Sequence, residues 1–122
     1  MRVAVWWFQN ESGRSPAWEY ITNLPDEHAD AILAQVAHLA ENWNAQTAVD
    51  EHGLANYSPM REIRYHDAGG QRVFYYVQDD QLWVLGASKK QDAEREMEQS
   101  YKRMKKVRAW MKEQKKKPKE RR

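Results

Sequence analysis

The best candidates for a chemical function are basic side chains in the second half of the sequence. Arg64 and Arg72 lie on two neighbouring strand-like segments, and Lys89 and Lys90 end a third. An arginine binds a phosphate through paired hydrogen bonds, and a lysine contributes a compact positive charge. These four residues are therefore candidate catalytic residues for a reaction in which negative charge develops on phosphate oxygens. The competing interpretation for both arginines is a structural ion pair with Glu62.

Four further residues in or near the same segment are candidates for binding RNA: Arg61, Arg95, Tyr76 and Tyr101. Arginine contacts the phosphate backbone, whereas tyrosine stacks on an unpaired base. For Tyr101, burial in the apolar stripe of a helix is the competing interpretation. His66 lies in a predicted hairpin loop, where it is either an acid–base residue or incidental.

The composition excludes several kinds of site. The chain has 122 residues and no cysteine, so disulfides and thiolate metal sites are ruled out. The four histidines show no metal-ligand spacing, and the sequence predicts neither a metal nor a cofactor. No apolar run approaches the roughly 20 residues of a membrane span, and the first residues lack a signal-peptide pattern. We therefore expect a soluble, cytoplasmic protein without membrane contact.

Charge is strongly segregated along the chain. The overall net charge is +2, yet residues 102–122 hold twelve basic and two acidic side chains. Their net charge is therefore +10, and residues 1–101 have a net charge of −8. An acidic body with a basic extension can attract polyanions such as RNA. A solvated extension without a specific role is the alternative.

Local patterns predict a strand, two helices and a loop in the first half of the chain. The apolar run at residues 2–8 is typical of a buried strand. Ser15, followed by proline, starts a helix over residues 17–23. Apolar residues at helical spacing predict a second helix over residues 26–42, and the aperiodic residues 44–58 predict a loop.

Three strands and a long helix are predicted in the second half of the chain. Turn residues at 67–70 and 79–80 separate three runs of alternating β-branched and aromatic residues. Alternation places Arg72 and Tyr76 on one face of their strand. A helix then begins near Asp92, and its methionines recur every seven residues as a narrow apolar stripe.

Together these elements predict an α+β fold with the order β-α-α-β-β-β-α. A small, mostly antiparallel sheet packs against two N-terminal helices and a long C-terminal helix. We expect residues 1–108 to form one domain. Residues 109–122 are expected to be a basic C-terminal extension that is frayed or disordered.

Several short motifs, each unspecific when taken alone, follow one another along residues 1–108. They are Ser15-Pro16, Tyr20-Ile21 and Leu24 in the first helix, Glu62-Ile63-Arg64, Arg72-Val73-Phe74-Tyr75, Val84-Leu85 and Lys89-Lys90 in the sheet, and Glu96-Met97-Glu98 and Arg103-Met104 in the last helix. In order and spacing they resemble the RelE/HigB superfamily of toxins from bacterial toxin–antitoxin pairs, in particular its phage-derived HigB-like branch. That branch often has a histidine and an aromatic residue before the lysine pair, where this chain has Gly86-Ala87-Ser88.

The resemblance implies a RelE-like fold and a ribosome-associated mRNA endonuclease that inhibits translation. Such toxins use the 2′-hydroxyl of the substrate as the nucleophile, a reaction that needs no metal. The resemblance also implies three partners, namely mRNA, the ribosome and a cognate antitoxin, which is commonly a helix-turn-helix protein. The residues that would act in catalysis are Arg72, Lys90, Lys89 and Arg64.

Two other functions fit the same sequence. A non-catalytic gyrase inhibitor, similar to the ParE toxins, would share the fold without needing Arg72, Lys89 and Lys90. A phage-derived protein that has lost toxicity would bind nucleic acid or another protein. Codon-phased cuts in the mRNA of expressing cells favour the nuclease, a DNA-damage response without cuts favours the gyrase inhibitor, and survival at high expression favours the non-toxic protein.

Overall fold

A five-stranded sheet with helices on both faces makes up the part of the chain that the computed structural model describes, residues 1–116. The elements in chain order are β1 (Ala4–Trp7), α1 (Pro16–Thr22), α2 (Asp26–Glu41), β2 (Glu51–Gly53), β3 (Arg61–Tyr65), β4 (Gln71–Gln78), β5 (Gln81–Lys89) and α3 (Ala93–Lys116). Short 3₁₀ turns precede β3, at Ala55–Tyr57, and α3, at Lys90–Asp92. The architecture is α+β with a long C-terminal helix, as predicted, but it has one strand more than the predicted order β-α-α-β-β-β-α.

The strands lie in the order β1-β5-β4-β3-β2. β1 is parallel to β5, and the other neighbouring pairs are antiparallel. The turn predicted at residues 79–80 is confirmed. It joins β4 to β5, and Asp79 and Asp80 have φ angles of 51° and 62°. Short polar side chains enter this left-handed region more easily than most, and paired left-handed residues match the twist of a hairpin.

The helices α1 and α2 cover one face of the sheet. α1 begins as predicted, because Ser15 Oγ accepts the Trp18 N–H at 3.3 Å and Pro16 occupies the first helical position. Ile21 of α1 and Ile32 of α2 are buried in the core on this face. The strand residues buried with them are Ile63, Tyr65, Val73, Tyr75, Leu82, Val84 and Ala87.

α3 covers the opposite face and packs chiefly on β5 and β4. The predicted methionine stripe is confirmed, because Met104 and Met111 are buried with Leu85 in the core on this side. The helix approaches the sheet closely at Gly86, where an added Cβ would clash with the side chain of Ser100. A residue without a side chain is therefore needed at this point of β5.

The segment predicted as a loop, residues 44–58, contains an additional strand. Glu51–Gly53 forms β2, which pairs with β3 at the edge of the sheet. Three residues that include a glycine are too few to give a strand pattern in the sequence, and only the pairing with β3 defines them. This correction matters for function because β2 brings further polar side chains to the sheet.

α3 extends farther than predicted. Residues 109–116 are helical rather than frayed, and Lys115 Nζ lies 2.7 Å from Asp79 Oδ2 at the β4–β5 turn. The rest of the predicted extension, residues 117–122, lies outside the described residues. Although α3 has 24 residues, neither it nor any other helix within residues 1–116 is long and apolar enough to cross a membrane.

Candidate nucleic-acid interface

A row of polar side chains lies on the α3 side of the sheet, at the end where α3 begins. Arg64 of β3 is opposite Arg72 of β4, which is opposite Ser88 of β5. His52 of β2 is opposite Glu62 of β3. Because residues two apart on a strand share a face, these side chains line one surface. We define the polar row as the charged and histidine residues of this surface together with their close neighbours: Asp50, His52, Glu62, Arg64, His66, Arg72 and Lys90.

Glu62 is the buried anion of the polar row, with 2% of its surface exposed. Its Oε1 accepts a hydrogen bond from Arg64 Nε at 2.7 Å and lies 3.9 Å from Arg72 Nε. A buried carboxylate is tolerated only when cations or hydrogen-bond donors compensate its charge. Here one carboxylate has two guanidinium groups as neighbours, so the cluster has an excess of positive charge.

Arg72 has few partners for an arginine whose side chain is only 12% exposed. Within residues 1–116 its side-chain hydrogen bonding is limited to one contact of 3.4 Å, from Nη1 to the carbonyl of Gln71. Its ion pair with Glu62 is long. Since a guanidinium has a planar set of N–H donors, most of the donors of Arg72 remain available to an anion that reaches this end of the sheet.

Lys90 adds positive charge beside Arg72. The two residues flank Gly70, because a Cβ built there would lie 3.5 Å from Lys90 Cβ and 3.9 Å from Arg72 Nη1. The Lys90 backbone N–H also donates to the Gly70 carbonyl at 2.8 Å, which ties the end of β5 to the β3–β4 turn. Two cationic residues therefore meet at one corner of the sheet.

Two histidines share one carboxylate at the edge of the polar row. His52 Nε2 is 2.7 Å from Asp50 Oδ1, and His66 Nε2 is 2.5 Å from Asp50 Oδ2. Since a carboxylate only accepts hydrogen bonds, both Nε2 atoms carry protons, and each neutral ring keeps Nδ1 as an acceptor. The hydrogen bonds from His66 and His52 hold the pKa of Asp50 below its ordinary value. Asp50 is therefore ionised at neutral pH and fixes the orientation of both imidazoles.

Arg61 lies on the other face of the sheet, away from the polar row. It is opposite Tyr75 in register, and its Nε and Nη2 donate to Glu51 at 2.6 and 2.9 Å. The Tyr75 hydroxyl donates to the same carboxylate at 2.7 Å. The predicted grouping of Arg61 with the RNA-binding residues is therefore corrected. Strand alternation directs its side chain to the α2 side, and Glu51 accepts hydrogen bonds from its Nε and Nη2.

The three residues Glu51, Arg61 and Tyr75, which we call the Glu51 cluster, balance one another electrostatically. The hydrogen bond between Arg61 and Glu51 lowers the pKa of the carboxyl and raises the pKa of the guanidinium. Burial, reinforced by the Glu51 charge, raises the pKa of the Tyr75 phenol. At neutral pH the cluster therefore consists of one carboxylate, one guanidinium and one neutral phenol.

The two tyrosines predicted to contact RNA are largely covered. Tyr76 is 4% exposed in the core beneath α3, and burial raises the pKa of its hydroxyl. A base cannot stack on a ring that is enclosed in this way, so the predicted role of Tyr76 is wrong. Tyr101 is half-buried on α3, packs edge-on against Tyr57 at a centroid distance of 5.4 Å and carries Lys105 Nζ 4.7 Å from its ring centre. Its contacts fit the competing interpretation, burial in the helix stripe.

Lys89 and Arg95 remain exposed and do not join the polar row. Lys89 is opposite Gln71, whose side chain is hydrogen-bonded to α1, so Lys89 lies on the α1 side of the sheet. Arg95 is in the first turn of α3, and its Nη2 is 3.8 Å from Asp92 Oδ1. Of the two lysines that end β5, Lys90 is the one beside the polar row.

Asp50 and His52 are functional candidates that the sequence does not reveal. They fall in the segment predicted as a loop, and their separation by one residue is too short a pattern to predict a strand. The backbone carbonyl of Asp50 accepts the Arg64 N–H at 2.8 Å, so pairing with β3 places these residues. The sequence does show His66 as a possible acid–base residue, and the structure supplies its partner.

The polar row combines groups for anion binding with groups for proton transfer. Arg72 and Lys90 present positive charge, and the imidazole nitrogens of His52 and His66 can donate or accept a proton. Within residues 1–116, no three histidine, cysteine, aspartate or glutamate side chains are grouped so that they would hold a metal ion. The arrangement suits a phosphodiester whose own hydroxyl is activated by a base.

Comparisons of this chain with protein-family models, with curated proteins and with solved structures give no match. The resemblance to RelE/HigB toxins therefore stays a prediction from short sequence motifs. The contacts of the polar row are the physical basis on which a function can be assigned.

Proposed function

We propose that this chain is the toxin of a type II toxin–antitoxin pair, with a RelE-like fold, and that it is an endoribonuclease that cuts mRNA on the ribosome. The incomplete pairing of Arg72 is the observation that carries this proposal. Its side chain is largely buried, has one long hydrogen bond within residues 1–116 and lies beside Gly70, which is buried at the end of the exposed turn at residues 66–69. A phosphate that reaches this turn would occupy donors that protein groups leave open.

The proposed reaction is an internal transfer at phosphorus. The 2′-oxygen of a ribose loses its proton to a general base and attacks the adjacent phosphorus. The bond from phosphorus to the 5′-oxygen breaks, and that oxygen takes a proton from a general acid. The products are a 2′,3′-cyclic phosphate and a 5′-hydroxyl end. Because the nucleophile belongs to the substrate, this reaction needs no metal.

Arg72 and Lys90 are the proposed phosphate-binding residues. Both are positively charged and lie at one corner of the sheet, where they would stabilise the charge that develops on the phosphate oxygens. Arg64 contributes less, because its Nε is already hydrogen-bonded to Glu62 at 2.7 Å. The shared Glu62 keeps the two guanidinium groups at the same end of the sheet.

His52 and His66 are the proposed acid and base. Each ring is held by Asp50 through Nε2 and presents Nδ1 for proton exchange. They would take the place of the histidine that the HigB-like branch has before its lysine pair, where this chain has Gly86-Ala87-Ser88. The double variant H52A/H66A is expected to cut RNA about 10²- to 10⁴-fold more slowly. The variant H38A removes a histidine of α2 and is the matched control.

The cleavage products provide the direct test. Purified protein is incubated with an mRNA, with and without ribosomes. We expect cuts that leave 2′,3′-cyclic phosphate ends, and no cut where a single 2′-deoxynucleotide replaces the nucleotide that supplies the attacking hydroxyl. A cut at the deoxy position would overturn the internal-nucleophile reaction.

Expression in bacterial cells tests the toxin assignment. We expect growth to stop because translation in the cytoplasm is inhibited. Mapping of mRNA by primer extension should then show codon-phased cuts. Co-expression of the cognate antitoxin, expected to be a small helix-turn-helix protein, should restore growth. A DNA-damage response without mRNA cuts would contradict the nuclease and favour a gyrase inhibitor.

A non-catalytic RNA-binding protein is the second candidate function. The observation that favours it is the short hydrogen bond between Arg64 and Glu62, which leaves fewer cations to stabilise a transition state. Binding of RNA without products, under the conditions in which cleavage is expected, would support this candidate.

A further inference from the structure

A second surface with nucleic-acid chemistry lies between β1 and α3, beside the edge of the sheet that is farthest from β2. It is an open groove of about 1080 Å³. Aromatic and basic side chains characterise its lining, and we call it the indole groove: Trp6, Trp7, Trp83, Trp110, Lys102 and Lys106.

Three indoles follow one another along this groove. The rings of Trp6 and Trp83 are stacked, with centroids 5.5 Å apart and planes at 22°. Trp110 meets Trp83 edge-on at 5.9 Å. Trp83 is buried and fills the floor, whereas Trp6 and Trp110 are 44% and 47% exposed. Within residues 1–116 these two rings are among the few large apolar side chains that water reaches to this extent, so they present open surface to a planar ligand.

The positive charge of the groove comes from one face of α3. Lys102, Lys106 and Trp110 are four residues apart in turn, so they lie along the same side of the helix. Within residues 1–116 neither lysine has a carboxylate oxygen within 4.0 Å of its ammonium group. Arg103, by contrast, is held by Glu96 at 2.6 Å and by the Leu85 carbonyl at 3.0 Å.

We propose that the indole groove binds single-stranded nucleic acid. Bases would stack on the exposed rings of Trp6 and Trp110, and phosphates would contact Lys102 and Lys106. Stacking platforms beside basic residues are the usual way in which proteins hold unpaired strands without reading their sequence. Charge supports the same ligand, since the groove borders the start of residues 102–122, whose net charge is +10.

The charge of the groove favours a nucleic acid over a peptide. A proline-rich peptide can also dock on exposed aromatic rings, but it would gain little from the two lysines of the lining, Lys102 and Lys106. The phosphates of a nucleic acid would contact these lysines, and its bases would stack on the open indoles. Glu11 is the acidic residue of the lining, and it belongs to the loop after β1 rather than to the basic face of α3.

This inference is independent of the proposed cleavage. The indole groove contains no residue of the polar row, and strand binding needs no ribose hydroxyl. The test therefore uses a fluorescently labelled oligodeoxythymidine of about 12 nucleotides, which the proposed reaction cannot cut. Binding of this probe to the full chain is measured by fluorescence anisotropy. If the protein binds the probe but does not cleave RNA, the indole groove is still a nucleic-acid site and the proposed cleavage alone is wrong.

Removal of either exposed indole should weaken binding of the probe. We expect W6A and W110A each to raise the Kd about 5- to 100-fold, and W6F and W110F to recover part of the loss. W18A is the matched control, because Trp18 is also exposed and, although it packs edge-on against Trp7, does not itself line the groove. Circular dichroism of each variant confirms that it is folded. Unchanged binding by folded W6A and W110A would overturn the proposal.

Removal of the lysines should alter the salt dependence. We expect the folded double variant K102Q/K106Q to bind more weakly and to reduce the slope of log Kd against log salt concentration by about 1.4, since each phosphate contact contributes about 0.7 for a single strand. K112Q removes a lysine of α3 that does not line the groove and should leave the slope closer to that of the wild type. If polyglutamate binds with dependence on Trp6 while the probe does not bind, the site takes an acidic protein and the proposal is wrong.

Discussion

Two arginine–glutamate clusters lie on opposite faces of the sheet, and their hydrogen bonding differs. On the α2 side, Arg61 donates twice to Glu51, at 2.6 and 2.9 Å. On the α3 side, Glu62 lies 3.9 Å from Arg72 and accepts a hydrogen bond of 2.7 Å from a second arginine, Arg64. The first cluster contains as many charges of one sign as of the other, whereas the second has more cations than anions.

We propose that the occupation of donors and the balance of charge, rather than the presence of arginine, separate a structural residue from a binding residue. Arg61 already donates two short hydrogen bonds to Glu51, which balances its charge, so a phosphate gains less from it. Arg72 has donors that protein acceptors leave open, so a phosphate adds charge-assisted hydrogen bonds without breaking short ones. We therefore expect opposite consequences when each arginine is removed.

The largest expected effect is the loss of cleavage when Arg72 is replaced by alanine. We expect R72A to lower the rate of mRNA cleavage about 10²- to 10³-fold, because a donor to the charged transition state is lost. Growth inhibition should disappear, while binding to the antitoxin persists. Initial rates on ribosome-bound mRNA, divided by the folded fraction of protein, measure the effect.

R61A is the matched variant on the opposite face of the sheet. Its rate per folded molecule should stay close to that of the wild type, although the protein is less stable. The variant R72K keeps the charge but loses the planar set of donors, so partial activity is expected. If folded R61A loses as much activity as R72A, the contrast between the two clusters is wrong.

The sequence predicts which residues share a face but not which of them are paired. Alternation along a strand is local, so it places Glu62 and Arg64 on one side and Arg61 on the other. The partner of Arg61 is ten positions away, on β2, and Tyr75 reaches that same carboxylate from 24 positions away. These contacts depend on the order of strands in the sheet, which local patterns do not determine.

The same limit explains the two features that only the structure reveals. Asp50 and His52 join the polar row because β2 pairs with β3. Trp6 meets Trp83 because β1 is placed parallel to β5, and these strands are at opposite ends of the sequence. Elements with strong local signals, such as the start of α1 at Ser15, are predicted correctly because their hydrogen bonds are also local.

An intermediate effect is expected on stability when Glu51 is replaced by glutamine. The neutral amide leaves Arg61 without its counter-charge and weakens the acceptor of the Tyr75 hydroxyl, so the free energy of unfolding should fall by about 1–2 kcal/mol. Urea unfolding at neutral pH measures this change. Glu19→Gln is the matched control, since Glu19 forms a similar two-bond pair with Arg14 that is more exposed to water. Exposed pairs contribute little, so E19Q should have almost no effect.

The smallest expected effect is the pH dependence of that difference. The hydrogen bond from Arg61 lowers the pKa of Glu51 in the folded protein below its ordinary value of 4.5. The carboxylate therefore stabilises the fold fully above about pH 4.5, and this contribution is lost as the pH falls through the lowered pKa. The difference in unfolding free energy between wild type and E51Q should be constant near neutral pH and should shrink toward zero in acid.

The contribution of the Glu51 cluster to stability also has an upper pH limit, which Tyr75 sets. Burial raises the pKa of its phenol above the ordinary value of 10.0, so its contribution is fully present below about pH 10 and is lost as the pH rises toward the raised pKa. Urea unfolding of wild type, E51Q and Y75F across the pH range measures both limits. We expect the wild-type advantage over Y75F to decline above about pH 10, and its advantage over E51Q to decline below about pH 4.5. An advantage over E51Q that does not change in acid would show that Glu51 acts through packing rather than through its charge.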